Sequence, residues 1–218
     1  MFCFIYIFNF AFQSTLQMST KAIEDLQQIK AIMERSTKFL SLSGWSGIWV
    51  GICGLLASGI LYTWKMNFNY TEDSNYNAFN LLALALVTLA IALGGGLYFT
   101  IQKTKKQGDT FFNKVTKRLL LRFSFPLLIG GILCIILYTK FLLPLTLPST
   151  ILFYGLALYT IQEDTVKEIK TLALLEILLG LLAFCFVDYS LLFWALGFGV
   201  IHILYGIILW NKYDKELK

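Results

Sequence analysis

The run LSGWSGIWVGICGLLASGILYTW, residues 42–64, contains 23 residues and no charged side chain. About 20 consecutive apolar residues form an α-helix long enough to cross the hydrocarbon core of a bilayer. The small residues of this run fall on one face of such a helix, at Ser43, Gly47, Gly51, Gly54 and Ser58. Helices in lipid associate through such faces, because small side chains let two backbones approach closely. The run therefore predicts a membrane-spanning helix that packs against a second helix.

The rest of the chain continues this pattern. Of its 218 residues, 57% are hydrophobic and 14% are charged, whereas a soluble domain carries about 25% charged residues. The mean hydropathy of +0.69 also indicates an integral membrane protein. Five further apolar runs follow, at 79–101, 123–139, 142–161, 171–187 and 190–210. We therefore predict an all-α, polytopic transmembrane bundle of about six spans over residues 42–210.

Basic residues lie almost entirely on one side of the predicted bundle. Sixteen of the 18 Lys and Arg residues precede span one, follow spans two and four, or lie in the tail 211–218. Only Lys65 and Lys140 lie on the other side. Cytoplasmic loops carry the excess of Lys and Arg, so we predict a multi-pass protein of the bacterial cytoplasmic (inner) membrane with both termini in the cytoplasm. The net charge of +5 is then a topology signal that requires no nucleic acid as partner.

Two segments precede the first span. Residues 1–17 contain a short apolar run and no Lys or Arg, unlike a secretory signal peptide. We interpret them as a leader that results from a start codon assigned too far upstream, with the true start at Met18. Alternatively, they form a short interfacial anchor. Residues 18–41 are predicted to form a cytoplasmic amphipathic helix. This helix would lie on the membrane surface or on the protein's own loops, or would form a short coiled-coil contact.

The loop after span two, residues 102–122, is strongly basic. Its cations are Lys103, Lys105, Lys106, Lys114, Lys117, Arg118 and Arg122. They are expected to set the topology, and alternatively they form a patch that binds anionic lipid headgroups. Pro126 is expected near the start of span three, because proline is tolerated in the first turn of a helix.

Two ionisable residues interrupt the apolar runs near the C-terminus. Glu176 lies within ALLEILLG, residues 173–180, and His202, the single histidine of the chain, lies in the last run. Both are 13 residues from position 189, in the short turn that separates the two runs. Antiparallel helices joined there would place Glu176 and His202 at nearly the same depth. We predict that the two side chains pair inside the bundle, either as a structural hydrogen bond or as a proton-responsive site.

The sequence offers little chemistry besides this pair. One histidine and one intramembrane glutamate do not supply a metal site, and we expect no metal, no cofactor and no catalytic residues. Cys3, Cys53, Cys134 and Cys185 are widely spaced, which favours free thiols. The preferred function is that of a non-enzymatic accessory or regulatory membrane protein. A small transporter or channel is the alternative, and an intramembrane enzyme is the weakest hypothesis. Expected partners are the lipid bilayer, its anionic headgroups, a second copy of the chain or another membrane protein.

Two stretches resemble a known group of proteins. MERSTKFLSLSGWSGIWVGI, residues 33–52, and IHILYGIILWNKYD, residues 201–214, are similar to an uncharacterised family of small bacterial inner-membrane proteins with about six spans. The resemblance covers most of residues 18–218. It implies the same fold and location, and it implies no defined activity.

The charge asymmetry predicts which loops face the cytoplasm. Cysteine tags placed before residue 42, within 102–122 and in the tail should be labelled only when a reagent reaches the cytoplasm. A tag at Tyr70, in the loop that contains Lys65, should react with an impermeant reagent added to intact cells. Labelling of the tail from outside would contradict both the six-span topology and the predicted orientation.

Overall fold

The computed structural model describes residues 42–67, 74–108, 111, 113–140 and 142–215. The predictions for residues 1–17 and 18–41 lie outside the described residues, as do the last three residues of the tail. The described part is almost entirely helical, so the predicted all-α class is confirmed for it.

Six long helices follow one another in the described ranges. The first five are α1 (Gly44–Asn67), α2 (Ser74–Lys106), α3 (Lys114–Thr139), α4 (Thr146–Thr160) and α5 (Glu168–Cys185). The sixth, α6, runs through Ser190–Trp194, a π-helical stretch at Ala195–Ile201, an α-helical stretch at His202–Leu209 and a second π-helical stretch at Trp210–Asp214. Short 3-10 turns precede α4, at Leu143–Leu145, and α6, at Val187–Tyr189.

Five described helical segments are long and apolar enough to cross a membrane. They are Gly44–Trp64, Phe79–Lys106, Lys114–Thr139, Leu143–Thr160 and Val187–Asp214. The remaining long helix, α5, carries Glu168, Lys170 and Glu176 within its 18 residues. The architecture is consistent with a helix bundle in which several helices are long and apolar enough to span a membrane.

Close backbone contact joins α1 to α6. A Cβ added to Gly47 would lie 2.9 Å from the Cα of Gly206, and one added to Gly51 would lie 2.7 Å from the carbonyl oxygen of Gly199. Side chains larger than hydrogen on this face would push the two helices apart. The stripe of small residues in α1 therefore faces α6, and the carbonyl of Phe198 lies against Gly54 in the same way.

A second close contact joins α4 to α5. A Cβ added to Gly155 would lie 2.7 Å from the backbone nitrogen of Ile177, and one added to Gly180 would lie 2.7 Å from that of Leu152. The remaining helices are more peripheral. None of the most apolar 18-residue stretch of Phe79–Lys106 is buried, against 39% for Gly44–Trp64. Most of the surface of α2 is thus left for lipid, and Trp49 of α1 anchors this helix by donating a hydrogen bond to the Ile91 carbonyl (3.0 Å).

Pro126 lies inside α3, which begins at Lys114 rather than near the proline. Proline has no N–H and cannot bond the carbonyl four residues earlier, which here belongs to Arg122. The hydroxyl of Thr160 lies 3.1 Å from that carbonyl oxygen and 2.7 Å from the carbonyl oxygen of Ala157, and can donate to either. A side chain from α4 therefore satisfies the group that Pro126 leaves free, which is how helices in lipid tolerate proline. Helix α3 can consequently continue through Pro126, and it begins within the predicted basic loop, at Lys114.

The glycines of α1 provide a matched test of the α1–α6 contact. Gly51→Leu should lower the free energy of unfolding by about 1–3 kcal/mol, the usual cost of overpacking a tight contact. Gly59→Leu is the control, because a Cβ at Gly59 meets no atom within 4 Å. Thermal unfolding of the purified full chain in detergent micelles measures both. Equal destabilisation by the two substitutions would contradict the packing described here.

Candidate functional site

Three helices bring polar side chains together inside the bundle. Glu176 of α5 is 0% exposed and His202 of α6 is 3% exposed. Tyr154 of α4 completes the cluster, which is covered by the ring of Phe198. The close approach of α4 to α5 at Gly155 sets the position of this cluster, because a Cβ added there would lie 3.0 Å from the Cβ of Glu176.

His202 uses both of its ring nitrogens. Nδ1 lies 2.8 Å from the carbonyl oxygen of Gly197, and Nε2 lies 2.8 Å from the hydroxyl of Tyr154. A carbonyl can only accept a hydrogen bond, so the hydrogen of the neutral imidazole belongs on Nδ1. Nε2 then accepts the hydrogen bond that Tyr154 donates. His202 is thus fixed in one tautomer by a backbone group of its own helix and a hydroxyl from α4.

Glu176 lies next to this imidazole but is bonded less completely. Its Oε1 is 3.4 Å from Nδ1 of His202, so the structure brings together the two residues that the sequence suggested. Within the described residues, neither carboxyl oxygen has a hydrogen-bond partner. The carboxyl group fits because position 197 is glycine, where an added Cβ would lie 2.5 Å from Oε2 of Glu176. The site is therefore a buried acid against an imidazole that is already satisfied.

The backbone of α6 is π-helical immediately before His202. A π-helix carries one more residue per hydrogen-bonded turn than an α-helix, and such turns occur often at functional sites. Here the five-residue step from Gly197 to His202 lets the ring nitrogen reach the Gly197 carbonyl on the same helix. Local backbone geometry therefore contributes directly to the position of the imidazole.

Sequence reasoning missed two members of this cluster. Tyr154 is one of 11 tyrosines, and its spacing from His202 carries no signal. Gly197 resembles the other helical glycines, and its role depends on the carboxyl group of a neighbouring helix. The glycine-rich sequence ALGFGVI just before the histidine was the available hint, because glycine within a helix often marks close packing.

Charged side chains form a second group at one end of the bundle. We call the charged end the set Lys103, Arg118, Arg122, Asp164, Glu168, Lys212 and Asp214. Lys103 is 6% exposed, and its Nζ lies 2.6 Å from Oδ1 of Asp214. The same ammonium donates to the carbonyl of Leu42 (2.7 Å), and Asp214 accepts from the backbone N–H of Gly44 (2.9 Å). This ion pair therefore joins the end of α2, the end of α6 and the start of α1.

The other charges of this end are also paired. Asp164 accepts hydrogen bonds from Arg118 (2.7 Å) and Arg122 (2.6 Å), which ties α3 to the loop between α4 and α5. Glu168 accepts from Lys212 (2.5 Å) and from the hydroxyl of Tyr213. Burial would raise the pKa of the Glu168 carboxyl, but the hydrogen bonds that it accepts, with that from Lys212 the strongest, hold its pKa below the ordinary value.

The predicted basic patch is thus divided by the structure. Lys103, Arg118 and Arg122 form ion pairs within the protein, and the side chains of the other four members, Lys105, Lys106, Lys114 and Lys117, are exposed. Arg118 and Arg122 are also about half exposed, so their ion pairs with Asp164 and their surface position coexist.

In the described ranges, no three His, Cys, Asp or Glu side chains are grouped so that they could hold a metal ion. Three cysteines are free thiols, with Cys53 buried, Cys134 half-buried and Cys185 exposed. Comparison of the chain with protein-family models, curated proteins and solved structures finds no match. The resemblance noted from the two sequence stretches therefore stays a prediction.

The contact between Gly197 and Glu176 predicts a compensating pair of substitutions. Gly197→Ala alone should lower the free energy of unfolding by about 1–3 kcal/mol, because its methyl group overlaps the carboxyl group. In a Glu176→Ala background the same methyl group has space, and Gly197→Ala should be nearly neutral. Thermal unfolding of the four proteins in one detergent measures this coupling. If Gly197→Ala costs the same in both backgrounds, the carboxyl group does not lie against Gly197.

Proposed function

We propose that this chain is a six-span protein of the bacterial cytoplasmic membrane, with both termini in the cytoplasm. It acts as a non-enzymatic accessory or regulatory protein. Its N-terminal segment and its basic region 102–122 would bind a protein partner at the membrane surface. The bundle would serve as the scaffold for these two elements.

The arrangement of helix ends supports the six-span part of this proposal. The ion pairs of the charged end join the start of α1, the end of α2, the start of α3, the α4–α5 loop and the end of α6. These ends share one side if every long helix, including α5, crosses the membrane. The acid on α5 does not oppose this assignment, because Glu176 is covered by protein rather than by lipid. The excess of Lys and Arg on that side favours the cytoplasm.

The ion pair of Lys103 with Asp214 is the observation that carries the proposed function. It binds the backbone on both sides of Ser43, at the carbonyl of Leu42 and the amide of Gly44. Residues 18–41 directly precede this point in the sequence. A partner that pulls on this segment would therefore act directly on α2 and α6. Removing one partner of a buried ion pair costs about 3–5 kcal/mol of stability, so loss of Lys103 should strongly weaken this connection.

Photo-cross-linking in intact bacteria tests this proposal. A photoreactive residue at Gln28 should give a discrete cross-linked product. Lys103→Gln should reduce its yield, because the backbone at Leu42 loses its contact with Lys103. Lys105→Gln is the matched control, since Lys105 is exposed on the same helix. Absence of a protein product at Gln28, or products with lipid alone, would contradict the proposal. An unchanged yield in Lys103→Gln would contradict the role of the ion pair.

A small transporter or channel is the second candidate, and the buried Glu176–His202 pair favours it. Ionisable groups inside the membrane commonly mark the paths of ions or protons. Proteoliposomes that contain the purified chain should then show a proton or solute flux that is lost in Glu176→Gln. Flux equal to that of empty liposomes would exclude a transporter or channel. The cross-linking result alone would then test the accessory function.

A further inference from the structure

A line of proton-bearing side chains leads from the charged end into the bundle. Its inner part is the cluster of Glu176, His202 and Tyr154, and its outer part is the contact between Glu168 and Tyr213. Tyr205 lies between them on α6, three residues after His202 and nearly one helical turn closer to the charged end. The three helices that supply these residues are α4, α5 and α6.

Tyr205 is the connecting member of this line. Its hydroxyl oxygen is buried and has no hydrogen-bond partner among the described residues. Tyr205 packs against the same cluster of buried apolar side chains as Tyr154 and Tyr213, one from each part of the line. A buried hydroxyl without a protein partner costs free energy unless water bonds to it. A water bound to this hydroxyl is the link that a connection between the inner and outer parts requires.

Glu176 is the natural end of the line. An ionised carboxylate inside a protein needs a cation or several hydrogen-bond donors. Among the described residues, the titratable groups that face it are His202 from α6 and Tyr154 from α4, and neither gives it a hydrogen bond. Nδ1 of His202 donates to Gly197 and the Tyr154 hydroxyl donates to Nε2. The carboxyl group in this position is best accommodated as a neutral acid that carries a proton.

We propose that Glu176 is a proton-binding site, and that it exchanges its proton with the charged end through His202, Tyr154 and Tyr205. The ligand is thus a single proton, held within the membrane and supplied from one face only. The outer entrance is the surface where Glu168 accepts hydrogen bonds from Lys212 and Tyr213.

The transfer conserves protons at each step. Tyr154 passes its hydroxyl proton to Nε2 of His202 while its oxygen receives a proton from the side of Tyr205, so the imidazole becomes an imidazolium. Nδ1 then gives its proton to Oε1 of Glu176, which lies 3.4 Å away. The imidazole is left with its hydrogen on Nε2, which donates to the oxygen of Tyr154. The starting tautomer returns when Glu176 gives its proton back to Nδ1 and Nε2 gives its hydrogen to Tyr154. Release of the proton follows the reverse order.

This inference is independent of the proposed accessory function. A protein that binds a partner through its N-terminal segment can carry a buried proton site or lack one. The cross-linking experiment above does not report on Glu176, and the experiment below does not report on a partner, so failure of either proposal can be recognised separately.

Infrared spectroscopy of the full chain in lipid nanodiscs tests the proposal without an activity assay. A protonated carboxylic acid has a C=O stretching band that shifts when its hydrogen is replaced by deuterium. We expect such a band in the wild type at neutral pH and its loss in Glu176→Gln. After transfer to D₂O the band should shift several-fold more slowly in Tyr205→Phe and in Tyr154→Phe, which each lack one hydroxyl of the path.

Tyr159→Phe is the matched control, because Tyr159 lies on α4 with its side chain largely exposed, and it should exchange at the wild-type rate. These Phe substitutions change one oxygen each, and thermal unfolding shows whether each variant is folded. A wild-type spectrum without the Glu176 band would overturn the proton site. A band that exchanges equally fast in Tyr205→Phe, Tyr154→Phe and Tyr159→Phe would overturn the path through the two tyrosines. If Tyr205→Phe does not fold, the comparison of Tyr154→Phe with Tyr159→Phe decides alone.

Discussion

In the hydrocarbon core of a bilayer no water is present to bond to exposed polar groups, so each must find a partner within the protein. The structure follows this constraint at points far apart in sequence. The carbonyl that Pro126 leaves free is met by a threonine of α4, and the imidazole of His202 is held by a tyrosine and a backbone carbonyl. At the edge of the bundle, Lys103 is buried only because Asp214 and the carbonyl of Leu42 receive it. Helix positions are set by these few polar contacts together with the glycine faces.

Glu176 is the exception to this rule. Its carboxyl oxygens are buried without a hydrogen bond from the described residues, although an imidazole lies 3.4 Å away. A purely structural role would be better served by a leucine, since burial of a polar group without a hydrogen bond lowers stability. The glycine at 197 makes room for the acid, and a glycine inside a helix lowers stability relative to alanine. A π-helical stretch surrounds this glycine. Several features that lower stability therefore occur around this one side chain.

Periodicity and composition were enough to predict the helical membrane bundle, because apolar runs of this length have few other structural solutions. The number of spans and the orientation stay predictions, since α5 carries three charged residues and the structure contains no membrane. The depth argument located Glu176 and His202 together because the turn between α5 and α6 is short. Tyr154, Gly197 and Asp214 could not be found in this way. Each acts through a residue about 20 to more than 100 positions distant, and a single sequence carries no record of such contacts.

Residues of α6 that follow a regular helical spacing in the sequence contact different helices in the structure. Gly199, His202 and Gly206 follow spacings of three and four residues, which in an α-helix would place them near one face. Gly199 belongs to the π-helical stretch Ala195–Ile201, where this spacing rule does not hold. In the structure the two glycines lie against α1, whereas the imidazole points to α4 and α5. The same helix ends at Asp214, which holds the start of α1. One helix therefore packs against α1 with one face and holds the proton-bearing cluster with another, so its register must satisfy both sets of contacts at once.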